Sequence, residues 1–518
     1  MAVSGSKKWI ITVTVILCSM LELIDTSIVN VVTNEMMANL GATMSEVSWV
    51  ISAYSIANVI IVPMTGWLSR TFGRKNYYVM SVALFTTASF LCGHSGNIWE
   101  LVGWRFVQGM GGGALLATSQ AILVETFPAE ELGLANAIFG AGVVLGPTIG
   151  PALGGYIVDN LSWQWIFYVN MPIGIIAMLL AMRYVSGNKE PVDAAHKKPV
   201  DWLGIALLVI GVGSLQLVLE QGDREDWFES RMIVGASVIA FFGILLFIWR
   251  ELWCKHPIVD LRVLRNRSLA AGTFLMFIMG YGLYASLFVY PIFVQSFLGA
   301  TATQTGMSLL PGALISAFFM PLIGVALKKG VPAKILIVTG FLVFALFTWQ
   351  SGITMTADSG VHDFYWPLII RGIGLGLVFA PLSTLSLAGL KGDDLSQGSG
   401  LTNMMRQLGG SVSVAICSVQ IEHSYARHRT TLLSHVSPYD LVTQDRMRQM
   451  TTLMQYKNHL PAYNAALQAM DGTVYKQAMI LSYMDVFIYL GVFFVICAPM
   501  ALLAKRIKKG EAIHLGAH

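Results

Sequence analysis

The chain has 518 residues, of which 55% are apolar (the Ala, Val, Ile, Leu, Met, Phe, Trp, Tyr and Cys set) and only 12% charged. Soluble domains carry about 25% charged residues, so this chain cannot clothe a water-facing surface of its size, and its mean hydropathy of +0.64 agrees. The net charge of +4 gives no case for nucleic acid, and five scattered cysteines (Cys18, Cys92, Cys254, Cys417, Cys497) without metal-ligand spacing give none for a metal.

The chain opens with Lys7 and Lys8 before an apolar run over 9–31. No small-x-small cleavage site follows, and the run holds Glu22 and Asp25, so it reads as an uncleaved first membrane helix. A span needs about 20 mostly apolar residues. Five more such segments follow at 46–68, 77–95, 98–122, 133–158 and 164–184. The polar stretch 186–200, with Pro191 and Pro199, breaks the pattern and reads as a cytoplasmic linker. Segments at 201–220 and 231–250 come next, then a second set at 268–296, 303–327, 333–352, 366–388, 399–421 and 479–504. The last two are separated by a long polar loop, 423–478, whose stretches between Pro438, Pro461 and Gly472 are helix-compatible. They predict helical extensions above the outer face.

The basic residues test this count of fourteen. With the N-terminus in the cytoplasm, twenty-two of the 33 Lys and Arg fall on the cytoplasmic side, while the short outer loops hold only Arg224 and Arg231. That is the positive-inside asymmetry, and a missed helix would scramble it. Both termini are therefore expected in the cytoplasm. The expected fold class is an all-α polytopic membrane protein: an N-terminal six-helix bundle (1–185), a linker with two additional helices (186–260), and a C-terminal six-helix bundle with its long loop (261–518).

The two bundles look duplicated. The second segment reads Pro63-x-x-Gly66 before Arg70, Arg74 and Lys75, and the tenth reads Pro321-x-x-Gly324 before Lys328 and Lys329. The fourth carries Arg105 near its outer end ahead of a glycine-rich stretch; the twelfth carries Arg371 ahead of Gly372, Gly374 and Gly376. A period of eight helices in one orientation means parallel halves.

Ionisable groups in a bilayer cost about 2.5–3.5 kcal/mol each on insertion scales. Glu22 and Asp25 share one helix face. Asp25 and Arg105 both lie roughly 10 Å below the outer end of their helices, at 1.5 Å per residue, so they are matched in depth and able to pair. A low-dielectric cavity makes a carboxylate hold its proton, and a nearby guanidinium loosens it; Asp25, Glu22 and Arg105 are thus candidates for a proton-coupling site. The other reading is a structural ion pair. Arg371 and Arg406 are ambiguous on the same argument: the plain reading is that each binds backbone carbonyls.

The fifth segment carries Gly142, Gly146, Gly150 and Gly154 at spacing four, with Pro147 and Pro151 beside them. Small residues at this spacing let helix backbones touch, and the run suits a sliding interface between halves; the plainer reading is tight static packing. Gly109-x-Gly111-x-x-Ala114 lacks the strand that a dinucleotide site needs, and no phosphate-binding Gly-Lys-Ser/Thr loop occurs. No ATP-driven or intramembrane-enzyme reading has residues to stand on.

Several stretches resemble the major facilitator superfamily, in its fourteen-helix drug:proton antiporter branch of EmrB/QacA type. Leu23 to Val31, around Asp25, is similar to that branch's first-helix signature. Gly66 to Lys75, with Gly66, Arg70, Gly73 and Arg74, resembles the cytoplasmic gate motif, although Arg70 stands where an acid is usual and Thr71 where a base is usual. Arg105-Phe106-Val107-Gln108-Gly109 is similar to the family's Arg-x-x-Gln-Gly element. The stretch from Gly140 to Gly155, with Gly146-Pro147 at its centre and Gly150 and Gly154 following, resembles the motif found in exporters. Trp163 to Gly174, and Asn403, Arg406, Gln407, Leu408, Gly409 and Gly410, fit the branch's helix 5–6 junction and its thirteenth helix.

The resemblance implies export of small amphipathic drugs and toxic compounds across a bacterial inner membrane in exchange for protons, as two halves rock around a central cavity. It implies no cofactor beyond the proton as coupling ion. Its partners would be the lipid bilayer, a periplasmic membrane-fusion adaptor on the loop 423–478, and an outer-membrane channel beyond it. Cavity candidates are Asn30, Gln108, Tyr284, Asn403, Arg406 and Gln407, with Tyr281, Tyr290, Met404 and Met405 as further soft, flat liners. Two other readings fit the same residues: an exporter dedicated to one metabolite, lipid or siderophore, and a non-transporting membrane sensor or scaffold.

Overall fold

The structure is a computed structural model that describes residues 5–128, 131–186, 200–457 and 462–503. Most of the predicted linker 186–200 and the terminal basic cluster 505–509 lie outside the described residues. In chain order the helices are α1 (Gly5–Ile28), α2 (Thr33–Leu40), α3 (Met44–Phe72), α4 (Arg74–His94), α5 (Ile98–Thr126), α6 (Leu132–Asn160), α7 (Trp165–Tyr168) and α8 (Asn170–Tyr184). Then come α9 (Trp202–Gln221), α10 (Arg231–Trp253), α11 (Arg267–Leu298), α12 (Ala302–Lys328), α13 (Ala333–Thr354), α14 (Tyr365–Leu387), α15 (Gly392–Ser434), α16 (Leu441–Lys457) and α17 (Ala462–Cys497). No strand occurs among the described residues.

Eleven helices of the described residues are long and apolar enough to cross a membrane. Hydrocarbon offers no partners to free backbone groups, so a helix, which satisfies its own, is the natural solution. Three further long helices, α4, α5 and α15, stand at other predicted segments. The predicted sixth segment is split: a short helix, α7, precedes α8. Sequence signals set several ends. Thr43 and Glu46 cap α3 reciprocally, and Thr301 and Gln304 do the same for α12. Gly73 adopts φ +79° between α3 and α4, a backbone that side chains with a Cβ rarely tolerate.

The helices pack in a repeated pattern. α1 lies on α6, α3 on α5, α4 on α5 and on α8; eight helices later, α11 lies on α15, α12 on α14, and α13 on α14 and on α17. Each pairing of the first set thus recurs in the second. The two sets meet along α6 with α12, and along α3 and α5 with α15. α9 and α10 pair with each other, and α9 leans on α3 and α15.

The glycine run of α6 does not lie between the sets. A Cβ on Gly142 would stand 2.8 Å from Ile16 Cγ2, on Gly146 2.7 Å from Leu23 Cβ, on Gly150 3.0 Å from the Ile24 carbonyl oxygen, and on Gly154 2.8 Å from Ile28 Cγ1. All four seat α1 within the first set, which corrects the expectation of a sliding interface. Spacing four puts the run on one face, but periodicity alone does not say which neighbour that face meets. The neighbouring face of α6 makes the seam with α12. There a Cβ on Gly155 would stand 2.8 Å from Thr303 N, and one on Gly324 of α12 2.8 Å from Leu134 Cα.

The described part of 423–478 is largely helical, as its stretches between breakers predicted: the end of α15, α16 and the start of α17. α15 has 43 residues, about 65 Å at 1.5 Å per residue, against a hydrocarbon thickness of about 30 Å. Its projecting end is tied to α17 by Arg427 and His428, which reach Asp485 Oδ2 at 2.5 and 2.8 Å, and by Arg429 to Asp471 at 2.9 Å.

A bulky side chain in the α1–α6 seam should be felt. Gly150→Val is expected to destabilise by about 1–3 kcal/mol through overpacking, seen as a lower melting temperature in detergent. Gly103→Ala, where a Cβ meets nothing within 4 Å, should melt like the unmodified protein. Equal melting of both variants would contradict the seam.

Candidate functional site

α1 carries its two acids one turn apart, toward the inside of the first set. Asp25 is fully buried and Arg105 of α5 is 1% exposed. Arg105 Nη1 donates to Asp25 Oδ2 at 2.5 Å and to Gln108 Oε1 at 2.7 Å. On the other carboxylate oxygen, Gln108 Nε2 donates to Asp25 Oδ1 at 2.9 Å and Asn170 Nδ2 at 2.8 Å. Ser89 of α4 accepts from both amides, at 2.6 Å from Gln108 and 3.0 Å from Asn170. Arg105 Nε donates to the Val50 carbonyl of α3 at 3.3 Å. Its guanidinium carbon lies 4.2 Å from the Tyr54 ring centroid and 5.7 Å from that of Phe167. Five helices thus converge on one carboxylate. Arg105 is held by charge, amide, carbonyl and ring face together, which suits a weakly hydrated planar cation.

Glu22 sits one turn away in the same core, 6% exposed. Asn58 Nδ2 donates to its Oε1 at 3.0 Å, and the Leu116 backbone N–H to its Oε2 at 3.2 Å. The Tyr54 phenol stands beside both acids. The cation acting on Glu22 is Arg406, on α15 of the second set, whose Nη1 donates to Tyr284 Oη at 3.3 Å. The hydrogen bonds of Glu22, like those of Asp25, come from helices of the first set.

The end of the molecule that carries the basic turns is latched. Arg74 of α3–α4 pairs with Glu125 of α5 and donates to Ser396 Oγ of α15 at 2.8 Å. Arg70 lies 3.7 Å from Asp393 at the start of α15. The gate motif's departure is thereby explained: with Arg70 in the acid's place, the acid is supplied from the facing helix. These pairs are partly exposed, worth about 0–1 kcal/mol each. Deeper in, buried amides do more. Gln120 of α5 donates to Ser383 Oγ of α14 at 2.6 Å and accepts from Asn403 Nδ2 of α15 at 2.7 Å. Asn136 of α6 donates to Thr384 Oγ1 at 3.2 Å.

The structure sorts the cavity candidates. Gln108 belongs to the Asp25 cluster, since both its amide atoms are engaged there. Asn403 is part of the latch. Tyr284 and Arg406 meet near Glu22, and Gln407 is half-buried on the same helix. Asn30 is exposed in the turn after α1 and joins none of these groups. Tyr281 is buried against Phe493, ring centroids 4.7 Å apart, and Tyr290 is buried with Ser308 at 2.8 Å. Met404 and Met405 pack on the apolar patch shared by α3 and α9. Gly66 faces the Gln397 side chain of α15, so it serves the latch. Sequence reasoning read Asn170 only as part of the helix 5–6 junction, and it gave no role to Ser89, Asn58 and Gln120. Their only signal was an amide or hydroxyl inside an apolar segment.

Comparison with known proteins agrees with this architecture. A model of the Major Facilitator Superfamily matches residues 15–414. The chain is 32% identical over 501 residues to the fatty acid resistance protein FarB of Neisseria gonorrhoeae, covering 96% of each chain. It is 31% identical over 506 residues to the multidrug export protein EmrB of Escherichia coli (strain K12), covering 97% of this chain and 96% of that one. A solved structure of the proton:xylose symporter XylE superposes with a TM-score of 0.60 at 12% identity, covering 99% of this chain and all of that one, a likeness of fold.

Removing one member of a buried ion pair costs about 3–5 kcal/mol because the other charge is stranded. Arg105→Gln should lose that much stability in a detergent melt, and Asp25→Asn combined with Arg105→Gln should recover most of it. If the single and double variants melt alike, the two groups are not energetically coupled.

Proposed function

The chain belongs to the major facilitator superfamily, and from that premise we propose that it exports amphipathic drugs and toxic compounds in exchange for protons, by alternating access of two halves. The family and the export proteins among its relatives make it a multi-pass transporter of the bacterial inner membrane rather than an enzyme, and support drug efflux as its activity. Proton coupling and alternating access are the finer proposal. The observation that carries it is Asp25, fully buried in a membrane helix and touched by Arg105, Gln108 and Asn170. A proton added to that carboxylate cancels the charge that holds Arg105 and removes an acceptor site from the amides. Protonation and repacking of α1, α4, α5 and α8 are then one event. A wetted Asp25 exchanges its proton; an enclosed one carries it.

The latched basic end is, in this reading, the cytoplasmic gate. Its Gln120, Ser383, Asn403 and Arg74 contacts must part for a substrate to enter from that side. Fourteen spans with both termini in the cytoplasm complete the topology, α4, α5 and α15 joining the eleven apolar helices. Residues 1–185 and 261–518 form the two rocking halves, and 186–260 supplies the linker and the inserted pair α9 and α10. Glu22, Arg406 and Tyr284 border the central cavity. Gln407 lies on the same helix, and Asn30 at its mouth on the far side. The projecting ends of α15 and α17 with α16 form the surface for a periplasmic adaptor leading to an outer-membrane channel; exposed Tyr439, Leu441, Val442 and Leu453 support a docking role. The relative named for fatty acid resistance favours a narrower variant, export of a single acidic lipid class, which breadth of substrates in an efflux assay separates from multidrug export.

The test is proton release. Adding a transported drug to the purified, lightly buffered protein should release protons, and the Asp25→Asn variant should release none while still folding and binding drug. No proton release from the unmodified protein would end the antiport reading.

A further inference from the structure

Arg371 stands in the second set where Arg105 stands in the first, on α14, which repeats the packing of α5. The two guanidinium groups are equally buried, each 1% exposed. Their surroundings differ completely. Arg105 has a carboxylate, an amide, a carbonyl and two ring faces. Arg371 Nε and Nη1 have no hydrogen-bond partner among the described residues. The expectation that it binds backbone carbonyls is not met at those two atoms.

Among the described residues, no carboxylate pairs with it. α11, α12, α13 and α14 contain no Asp or Glu; Asp363, in the turn just before α14, accepts from the Gly360 N–H at 2.8 Å. On α6 the one acid, Asp159 near its last residue, accepts from Thr303 at 2.8 Å. On α15, Asp393 and Asp394 lie in the first turn at the basic end, and Glu422 lies among the loop acids Asp223 and Asp226. Asp471 and Asp485 of α17 are taken by Arg429, Arg427 and His428. The ionisable neighbour acting on Arg371 is the Tyr290 phenol of α11, and that hydroxyl is engaged with Ser308. Arg371 is the seventh residue of α14, about 10 Å below the helix end. Its burial means that it does not snorkel to the interface, the usual relief for an arginine near a helix terminus.

An arginine keeps its charge in any protein setting, and a buried charge without a partner is strongly unfavourable. A fold that retains one, on a helix whose counterpart bears a coupling-type ion pair, keeps a charge that an anion from outside the chain would answer. We propose that Arg371 is the anchor for the acidic headgroup of an anionic amphiphile, a carboxylate whose apolar tail lies among the aromatic and aliphatic side chains of α11 and α14. Guanidinium is suited to that role because its fork meets both carboxylate oxygens. The inference rests on the export reading and narrows it: the second set selects acids, while Asp25 in the first handles the proton.

The experiment compares decanoate and ethidium binding, by calorimetry on purified full-length protein in lipid nanodiscs, for the unmodified chain, Arg371→Gln and Arg371→Lys. The expected result is a loss of at least tenfold in decanoate affinity for Arg371→Gln, a smaller loss for Arg371→Lys, and less than a twofold change for ethidium in both. Unchanged decanoate affinity in Arg371→Gln, or equal losses of both ligands, overturns the proposal. If the unmodified protein binds ethidium but not decanoate, the anion site fails and export stands. If it binds neither, the export reading fails and the anion site falls with it.

Discussion

A carboxylate that cannot reach water must be surrounded by donors, and in a bilayer those donors must come from other helices. Asp25 satisfies this with three N–H contacts from α5 and α8, and Arg105 satisfies its own requirement through α3 and α5. The consequence is mechanical. Moving any of these helices by more than about an ångström breaks a charge-assisted hydrogen bond in a low-dielectric site, where an unmet partner is costly. α1, α3, α4, α5 and α8 are therefore tied to one another through a single charged point, and the state of that point is felt by all of them.

The rest of the first set is consistent with such a tie. Glycines on α6 let α1 approach to backbone contact, so the helix that bears both acids is seated against a smooth wall rather than interlocked with bulky side chains. Contacts between the sets are of another kind. At the basic end they are hydrogen bonds of arginine, serine, threonine, asparagine and glutamine with one partly exposed ion pair, Arg70 with Asp393. Such bonds are worth roughly 0.5–1.5 kcal/mol each net, enough to hold one arrangement and weak enough to be exchanged for water in another. The strong links lie within a set and the exchangeable ones between sets.

Much of this was legible in the sequence because the bilayer constrains it. Apolar runs of span length gave the helices, and the Asp25–Arg105 pairing followed from matched depth on segments whose ends the basic residues marked. The partner Ser89 was not legible, since a lone serine in an apolar segment has no periodic signature, and Asn170 was legible only as part of the helix 5–6 junction, because the role of either is fixed by which helix it meets. The glycine run of α6 failed differently. Its spacing correctly announced close packing, but the neighbour is decided by topology, and α1 won the face assigned to the facing set. The gate motif gave half an answer: Arg70 in an acid's place implied a missing carboxylate, and Asp393, more than 300 residues away in the chain, supplies one.

Duplicated halves need not keep duplicated chemistry, and the charges show where they parted. The first set buries the two carboxylates of α1 and the guanidinium of Arg105 on α5; the second buries Arg371 and Arg406 with no acid on α11 to α14. An interior that is acidic on one side and basic on the other holds its halves together by Coulomb attraction whenever they close on a dry cavity, and loses that attraction to solvent screening when water enters. Neutralising Glu22 with a proton weakens the closed form on one side of the boundary, and placing an anion against the arginines weakens it on the other. In the proposed exchange, both kinds of event act on one equilibrium between closed and opened halves, without requiring that proton and cargo ever share a residue.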